Sequence, residues 1–246
     1  MQVRLPSLTA STLKIVAIVG MTLCHVGIIF SERLPFSTQC ILIACGGVTF
    51  PLMAYMIAEG YRHTSNIKRY ATRLTICAIV SQIPYSLAFE PLTITWGSSS
   101  ILLPFTGNVI WTLLLGLAIL YAYDHIEQRP VFWAVFVCAT AASVILDWGV
   151  LGPVMILLAY ILPSEKERKA YPILLSMLAL GLPALISCAT GDLSQLPDVL
   201  YAFCGHGLAL FLLMLYQGAQ GLRFKYFFYV YYPAHLIILL LLSTNG

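Results

Sequence analysis

The stretch Val150-Leu-Gly-Pro-Val-Met-Ile-Leu-Leu-Ala-Tyr-Ile-Leu162, followed at once by Pro163-Ser-Glu-Lys-Glu-Arg-Lys169, decides how this chain is organised. It is apolar throughout but only thirteen residues long, whereas a helix crossing the bilayer core needs about 20. Length alone reads it as a re-entrant or buried half-helix. Eight other apolar segments lie closer to spanning length, at 13–30, 39–58, 70–89, 107–123, 130–146, 171–189, 200–217 and 227–243. Whether 150–162 crosses fixes the side on which everything after it falls.

Charge arbitrates. If all nine segments cross, one side receives Arg4, Lys14, Arg62, Lys68, Arg69, Arg73, Arg129, Lys166, Arg168, Lys169, Arg223 and Lys225, and the other receives Arg33 alone. Cytoplasmic loops carry the Lys/Arg excess, so this asymmetry orients the chain. If 150–162 did not cross, the 165–169 cluster and the Arg223/Lys225 loop would change sides and the bias would largely cancel. The sequence therefore predicts an all-α polytopic membrane helix bundle of about nine transmembrane helices, N-terminus cytoplasmic and C-terminus outside.

Composition agrees. The chain is 60% hydrophobic and 9% charged, where soluble domains carry about a quarter charged residues. No polar stretch is long enough to fold separately, so residues 1–246 read as a single domain. The net charge of +3 resides in short loops between apolar runs, a pattern of topology and not of nucleic-acid binding. Seven cysteines are embedded in apolar segments without ligand spacing and read as small buried hydrophobes. The first apolar run continues to Phe30 without a cleavage site and reads as a retained helix. Pro51, Pro84 and Pro183 are expected to kink their helices, and Gly46/Gly47 and Gly205/Gly207 to permit close helix approach. No internal repeat is visible, and an odd span count argues against a simple inverted duplication.

Polar groups at membrane depth carry the functional information, because each costs a few kcal/mol to insert. They are His25, Glu59, Gln82, Asn108, Asp147, His206 and His235. Lys14 and His25 are eleven residues apart, three turns at about 3.67 residues each, and so share a face; at 1.5 Å per residue they lie roughly 16 Å apart along the axis. A cation at the cytoplasmic mouth and an imidazole deep on the same stripe suit an acyl-CoA; a topological anchor and a helix-packing histidine suit the spacing too. The loop 59–70, with Arg73 beyond it, gathers Arg62, Lys68, Arg69 and Arg73 on the cytoplasmic side. These cations fit the phosphates of CoA, and fit equally a positive-inside determinant or an anionic-lipid contact. His206 and His235 are candidates for proton handling or for structural hydrogen bonds. Asp147 falls at an outer turn. No Ser/His/Asp set, metal-spaced cluster, Gly-rich phosphate loop or CxxC pair is present, which leaves general-base chemistry or none.

Several pieces in one order, covering nearly the full length, resemble the TraX family of pilin N-acetyltransferases and their relatives. They are Leu13-Lys-Ile-Val-Ala leading to His25-Val-Gly, Thr49-Phe-Pro-Leu-Met-Ala-Tyr-Met-Ile-Ala-Glu-Gly60, His63-Thr-Ser-Asn, Tyr70-Ala-Thr-Arg-Leu, Ser81-Gln-Ile-Pro-Tyr85, Asn108-Val-Ile-Trp-Thr-Leu-Leu-Leu-Gly116, Asp147-Trp-Gly and Tyr232-Pro-Ala-His235-Leu. That family is similar to the wider transmembrane acyltransferases. The resemblance implies a multi-pass protein of the bacterial inner membrane that takes acetyl-CoA from the cytoplasm as co-substrate, with no metal. It implies His25 as catalytic base, Lys14, Arg62, Lys68, Arg69 and Arg73 as the CoA-binding cations, and Asn108, Asp147 and His235 in support. A pilin N-terminal amine is the implied acceptor, and membrane lipids the surroundings. Two positions depart from the family pattern: Cys24 stands where an Asp commonly precedes the His, and Gly47 where an Arg commonly precedes the small-Phe-Pro motif. A non-catalytic transporter, or a degenerate acyltransferase serving as an assembly factor, is the rival expectation.

Overall fold

A computed structural model describes residues 8–89, 93–96, 99–102, 106–222 and 226–244. Arg4, Arg223 and Lys225 of the basic count lie outside the described residues. In chain order the elements are α1 (Ala10–Ile29), α2 (Phe36–Gly46), α3 (Thr49–His63), α4 (Ile67–Ala88), β1 (Thr93–Trp96), β2 (Ser99–Leu102), α5 (Val109–His125) and α6 (Arg129–Ala142). There follow α7 (Leu151–Ile161), α8 (Glu165–Ala189), α9 (Leu196–Leu200), a π turn (Tyr201–Gly205), α10 (His206–Leu215) and α11 (Phe227–Thr244). A helical element stands at each of the nine segments read from the sequence.

Length qualifies the reading of nine crossings. Five helical stretches are long and apolar enough to span a bilayer: α1, the α2–α3 pair, α8, residues 193–215, and α11. The apolar helices at 109–125, 129–145 and 151–161 are shorter; α7, at eleven residues, extends only about 16 Å. Lipid is still the solvent these surfaces require. On α4 alone Ile76, Ile79, Val80, Ile83 and Leu87 form an outward stripe, Ile83 being 72% exposed, an apolar patch that water would not tolerate.

The helix ends correct several expectations. The loop 59–70 shrinks to residues 64–66, because α3 continues to His63 and Asn66 caps α4, accepting from the Arg69 amide at 2.9 Å. Lys68, Arg69 and Arg73 are therefore helical. Likewise Ser164 and Glu167 form a reciprocal capping box, which starts α8 at Glu165 and draws Lys166, Arg168 and Lys169 out of the loop. Pro51 does not kink a continuous helix: the chain breaks at Gly47–Val48, and Pro51 falls in the first turn of α3, where its missing N–H costs nothing. A β1–β2 hairpin adds strands to an otherwise helical chain.

The chain divides into two compact units: Met1–Met56 with Leu158–Lys225, and Ile57–Leu157 with Tyr226–Gly246. In the first, α1 packs on α2 through Gly20, Cys24 and Gly27. A Cβ on Gly20 would lie 2.5 Å from the Cys45 carbonyl oxygen, and one on Gly46 would strike the Cys24 side chain. The π turn sits against the α2–α3 break, where a Cβ on Gly205 would meet the Ala44 oxygen and Gly47 Cα, each at 2.5 Å. Gly207 has nothing within 4 Å of its would-be Cβ, so only the first glycine of that pair is a packing device. Residues after α10 strap the start of α1: the Ala10 amide donates to Ala219 O at 2.7 Å and the Ser11 amide to Gln220 O at 3.2 Å, satisfying amides with no intrahelical acceptor.

In the second unit α4 packs on α11 and α5, and Leu113, Leu117, Leu120, Phe132, Ile156 and Leu236 are buried. The start of α5 is tied to the turn before α7 by a short bridge: the Gly107 amide donates to Ile145 O at 2.9 Å and the Asp147 amide to Gly107 O at 2.8 Å. Gly149, at φ +43°, lets the Asp147-Trp-Gly turn reverse the chain.

Candidate functional site

Of the residues singled out in the sequence, Lys14 and His25 belong to the first unit; Arg62, Lys68, Arg69, Arg73, Asn108, Asp147 and His235 belong to the second. Lys14 and His25 lie on the one unbroken helix α1, and both are half-buried. Their neighbour Cys24 is 8% exposed and faces Gly46. The would-be Cβ of Gly46 also lies 3.4 Å from the Tyr201 ring, while a Cβ on Gly47 would run into the Tyr201 carbonyl. The two positions that depart from the family pattern are thus filled by close backbone approach. Tyr201 continues to His206, which is buried: its Nδ1 lies 3.2 Å from Tyr201 O, and the two rings meet edge to face at 5.5 Å.

The four cations at 62–73 have different fates. Arg62 pairs with Glu59 at 2.6 Å, and the His63 ring lies 3.5 Å from the other Glu59 oxygen. The Arg73 guanidinium stands over the rings of Tyr70 and Tyr229, 6.0 and 5.9 Å from their centroids. Lys68 and Arg69 are exposed in the first turn of α4 and make no ion pair among the described residues. Two positive charges there oppose the helix dipole, at about 0.3–1 kcal/mol each, and an anion would relieve them.

The other predicted residues converge on a polar network that sequence reading did not assemble. Gln82 of α4 accepts at one oxygen from the Asn108 side-chain amide (2.9 Å), the Asn108 backbone amide (3.2 Å) and the Trp111 indole (3.2 Å). Its own amide donates to Thr106 O at 2.9 Å. Asn108, fully buried, also donates to Ala78 O at 2.9 Å and caps α5 by accepting from the Ile110 amide at 3.1 Å. Beside this knot the Tyr85 hydroxyl donates to Asp147 Oδ1 at 2.8 Å. Asp147 keeps an exposed edge, yet the protein crowded around its carboxylate pushes the pKa up, while the Tyr85 hydrogen bond pulls it the other way. His235 is buried on α11, its Nδ1 3.1 Å from Tyr231 O and its ring stacked on Tyr231. It also adjoins Tyr232, with ring centroids 5.5 Å apart. The motif pieces at 81–85, 108–116 and 147–149 are thereby one place in space, and Tyr232 of the piece at 232–236 stands near Tyr85 and Asp147.

One buried group went unread. Lys169, assigned above to topology, is 4% exposed. Its ammonium pairs with Glu165 and donates to Tyr216 O at 2.6 Å, with the rings of Tyr55 and Tyr216 about it at 6.0 and 5.7 Å. The available signal was the Glu165/Lys169 spacing of four, which places both on one helix face. Among the described residues no group of three or more His, Cys, Asp or Glu could hold a metal ion.

These features define a helical membrane protein with a half-buried lysine and histidine on its first long helix and polar knots at helix ends. The TraX protein family profile matches residues 9–243, and the chain belongs to that family. It is similar to a probable fimbrial assembly protein, FimC of serogroup H1, from Dichelobacter nodosus, at 30% identity over 240 residues covering 94% of each chain. No solved structure matches the chain.

Proposed function

We propose that this protein serves fimbrial or pilus assembly as a membrane-embedded acetyltransferase, moving acetyl from cytoplasmic acetyl-CoA to an amine presented at the outer half of the inner membrane. All nine segments cross, with the N-terminus cytoplasmic and the C-terminus outside. The observation that carries the reading is the Lys14–His25 stripe, half-buried on one face of the same helix. Lys68 and Arg69, held by no carboxylate among the described residues, are the best placed of the cluster to take CoA phosphates. Arg62 and Arg73 belong to the same cluster, and Lys14 is the cation on His25's own helix. His25 removes a proton from the acceptor amine; the nitrogen attacks the thioester carbonyl, the C–N bond forms and the C–S bond breaks. The leaving thiolate takes the proton from the imidazolium, so the products are the amide and free CoA.

The test is release of free thiol from acetyl-CoA by purified protein supplied with an amine-terminated peptide. His25→Ala is expected to abolish release and to spare acetyl-CoA binding; undiminished release in that variant would end the proposal for His25. A non-catalytic assembly factor is the second reading, favoured by the tight packing at Cys24 and Gly47 where the family pattern has charged groups. It predicts no thiol release from wild-type protein, whether or not acetyl-CoA binds.

A further inference from the structure

A cavity of about 310 Å³ opens in the first unit between α8 and the α9–π turn segment, at the small end of the roughly 300–1,000 Å³ in which proteins hold small ligands. Pro183 and Ala184 give it an apolar wall, and Ser187, Gln195, Asp198 and Tyr201 line it with polar groups. Among the described residues the side chains of Ser187, Gln195 and Asp198 make no hydrogen bond or ion pair with protein. Asp198 is an exposed carboxylate with no cation among the described residues, near the start of a stretch, 193–215, that is apolar enough to cross a membrane. Acidic groups in such stretches normally face protein partners or water-filled sites.

A chain of contacts joins the cavity wall to Cys24 on α1. Tyr201 lines it and also closes on Gly46, and Gly46 packs on Cys24, the residue before His25. The π turn that begins at Tyr201 is a local widening of the helix of a kind found often at functional sites. Gly46, Gly47 and Gly205 are what allow it to approach α2 so closely.

We propose that this cavity binds the primary ammonium group of an acceptor flanked by an apolar residue: Asp198 receives the ammonium, Ser187 and Gln195 complete its hydrogen bonds, and Pro183 and Ala184 take the apolar flank. The role as acceptor site rests on the transfer reading above; the binding itself does not. The ammonium is the form that docks; it gives up one proton to water, and the second leaves the amine for His25 and then the thiolate as the nitrogen attacks the thioester.

Full-length protein in detergent is titrated calorimetrically with an apolar tripeptide amide bearing a free α-amine, and with the same peptide N-acetylated. Wild-type protein is expected to bind the free amine and not the acetylated form. Asp198→Asn weakens binding at least tenfold, and Ser187→Trp, which fills the cavity, does the same, with helical circular dichroism and melting unchanged in both. The assignment is overturned if wild-type protein does not bind the free amine, if the acetylated peptide binds as tightly, or if Asp198→Asn binds like wild type. The two proposals separate in a thiol-release assay. Binding that depends on Asp198 without any release removes the transfer reading and keeps the site; release in Asp198→Asn at an unchanged KM for the peptide removes the site and keeps the transfer.

Discussion

Gly47 and Gly207 look alike in the sequence, both near a second glycine inside an apolar run, and the structure gives them opposite sensitivities to the same added methyl group. A Cβ at position 47 would overlap the Tyr201 carbonyl oxygen and press on Tyr201 C and Gly205 Cα, at 2.9 and 3.0 Å. All three are backbone atoms and cannot swing aside. Overpacking of this kind costs about 1–3 kcal/mol, and the upper part of that range applies where the π turn itself must retreat. At position 207 nothing lies within 4 Å, and the residue sits inside α10, where replacing Gly by Ala gains about 0.5–1 kcal/mol. Gly47→Ala and Gly207→Ala should therefore differ by about 2–4 kcal/mol, a sum of those two effects. Reversible unfolding in mixed micelles, followed by helical circular dichroism, measures the gap. Equal stability of the two variants, or a Gly47→Ala protein indistinguishable from wild type, would refute the claim that the π turn closes on the α2–α3 break.

Four further outcomes are expected. Asn108→Ala removes the α5 cap and two side-chain donors from a dry knot, and should lower stability by about 2–4 kcal/mol in the same unfolding assay. Tyr85→Phe removes the donor that favours the charged form of Asp147, so the Asp147 pKa should rise further; the carboxylate band in infrared spectra should disappear at a higher pH than in wild type. Lys169→Met strips the Tyr216 carbonyl of its donor and ends two cation–ring contacts, for a loss of about 2–4 kcal/mol, while Lys169→Arg should recover part of it. For topology, a single cysteine placed at Arg33 should react with an impermeant maleimide in intact spheroplasts and one at Lys166 only after lysis; labelling of both from the same side would remove the nine-crossing arrangement.

The helices were legible because apolar runs bounded by charge leave a membrane chain few alternatives. Their ends were not, because each depends on a cap. Asn66 and Ser164 are short polar residues in polar surroundings, and only the amides they receive show that the helices begin there. The hairpin at 93–102 has no apolar run to announce it. At the candidate sites the pattern is similar: polar residues at depth could be picked out one by one from their insertion cost, but that cost does not say which of them meet. Gln82 was singled out as costly and Asn108 as supportive, yet the hydrogen bonds joining them span 26 positions. The burial of Lys169 was not legible, because a positive charge near a helix start reads as topology by default and its burial depends on Tyr55 and Tyr216, far away in sequence.

The two departures that the resemblance implies, at positions 24 and 47, amount to one physical change. Position 24 contacts position 46, beside position 47, so a carboxylate at the first and a guanidinium at the second would be buried close together. Losing one partner of a buried pair strands the other, at about 3–5 kcal/mol, whereas replacing both by groups that pack well is often neutral or favourable. Cys24, Gly46 and Gly47 do pack well, and the space a guanidinium would need is taken by the Tyr201 carbonyl. Neither charge can therefore be restored alone without penalty. The residue before His25 is thus set against glycine and a tyrosine ring, with no charge at position 24 or 47. Asp198, on the other side of that same tyrosine, is a carboxylate with no other engagement among the described residues.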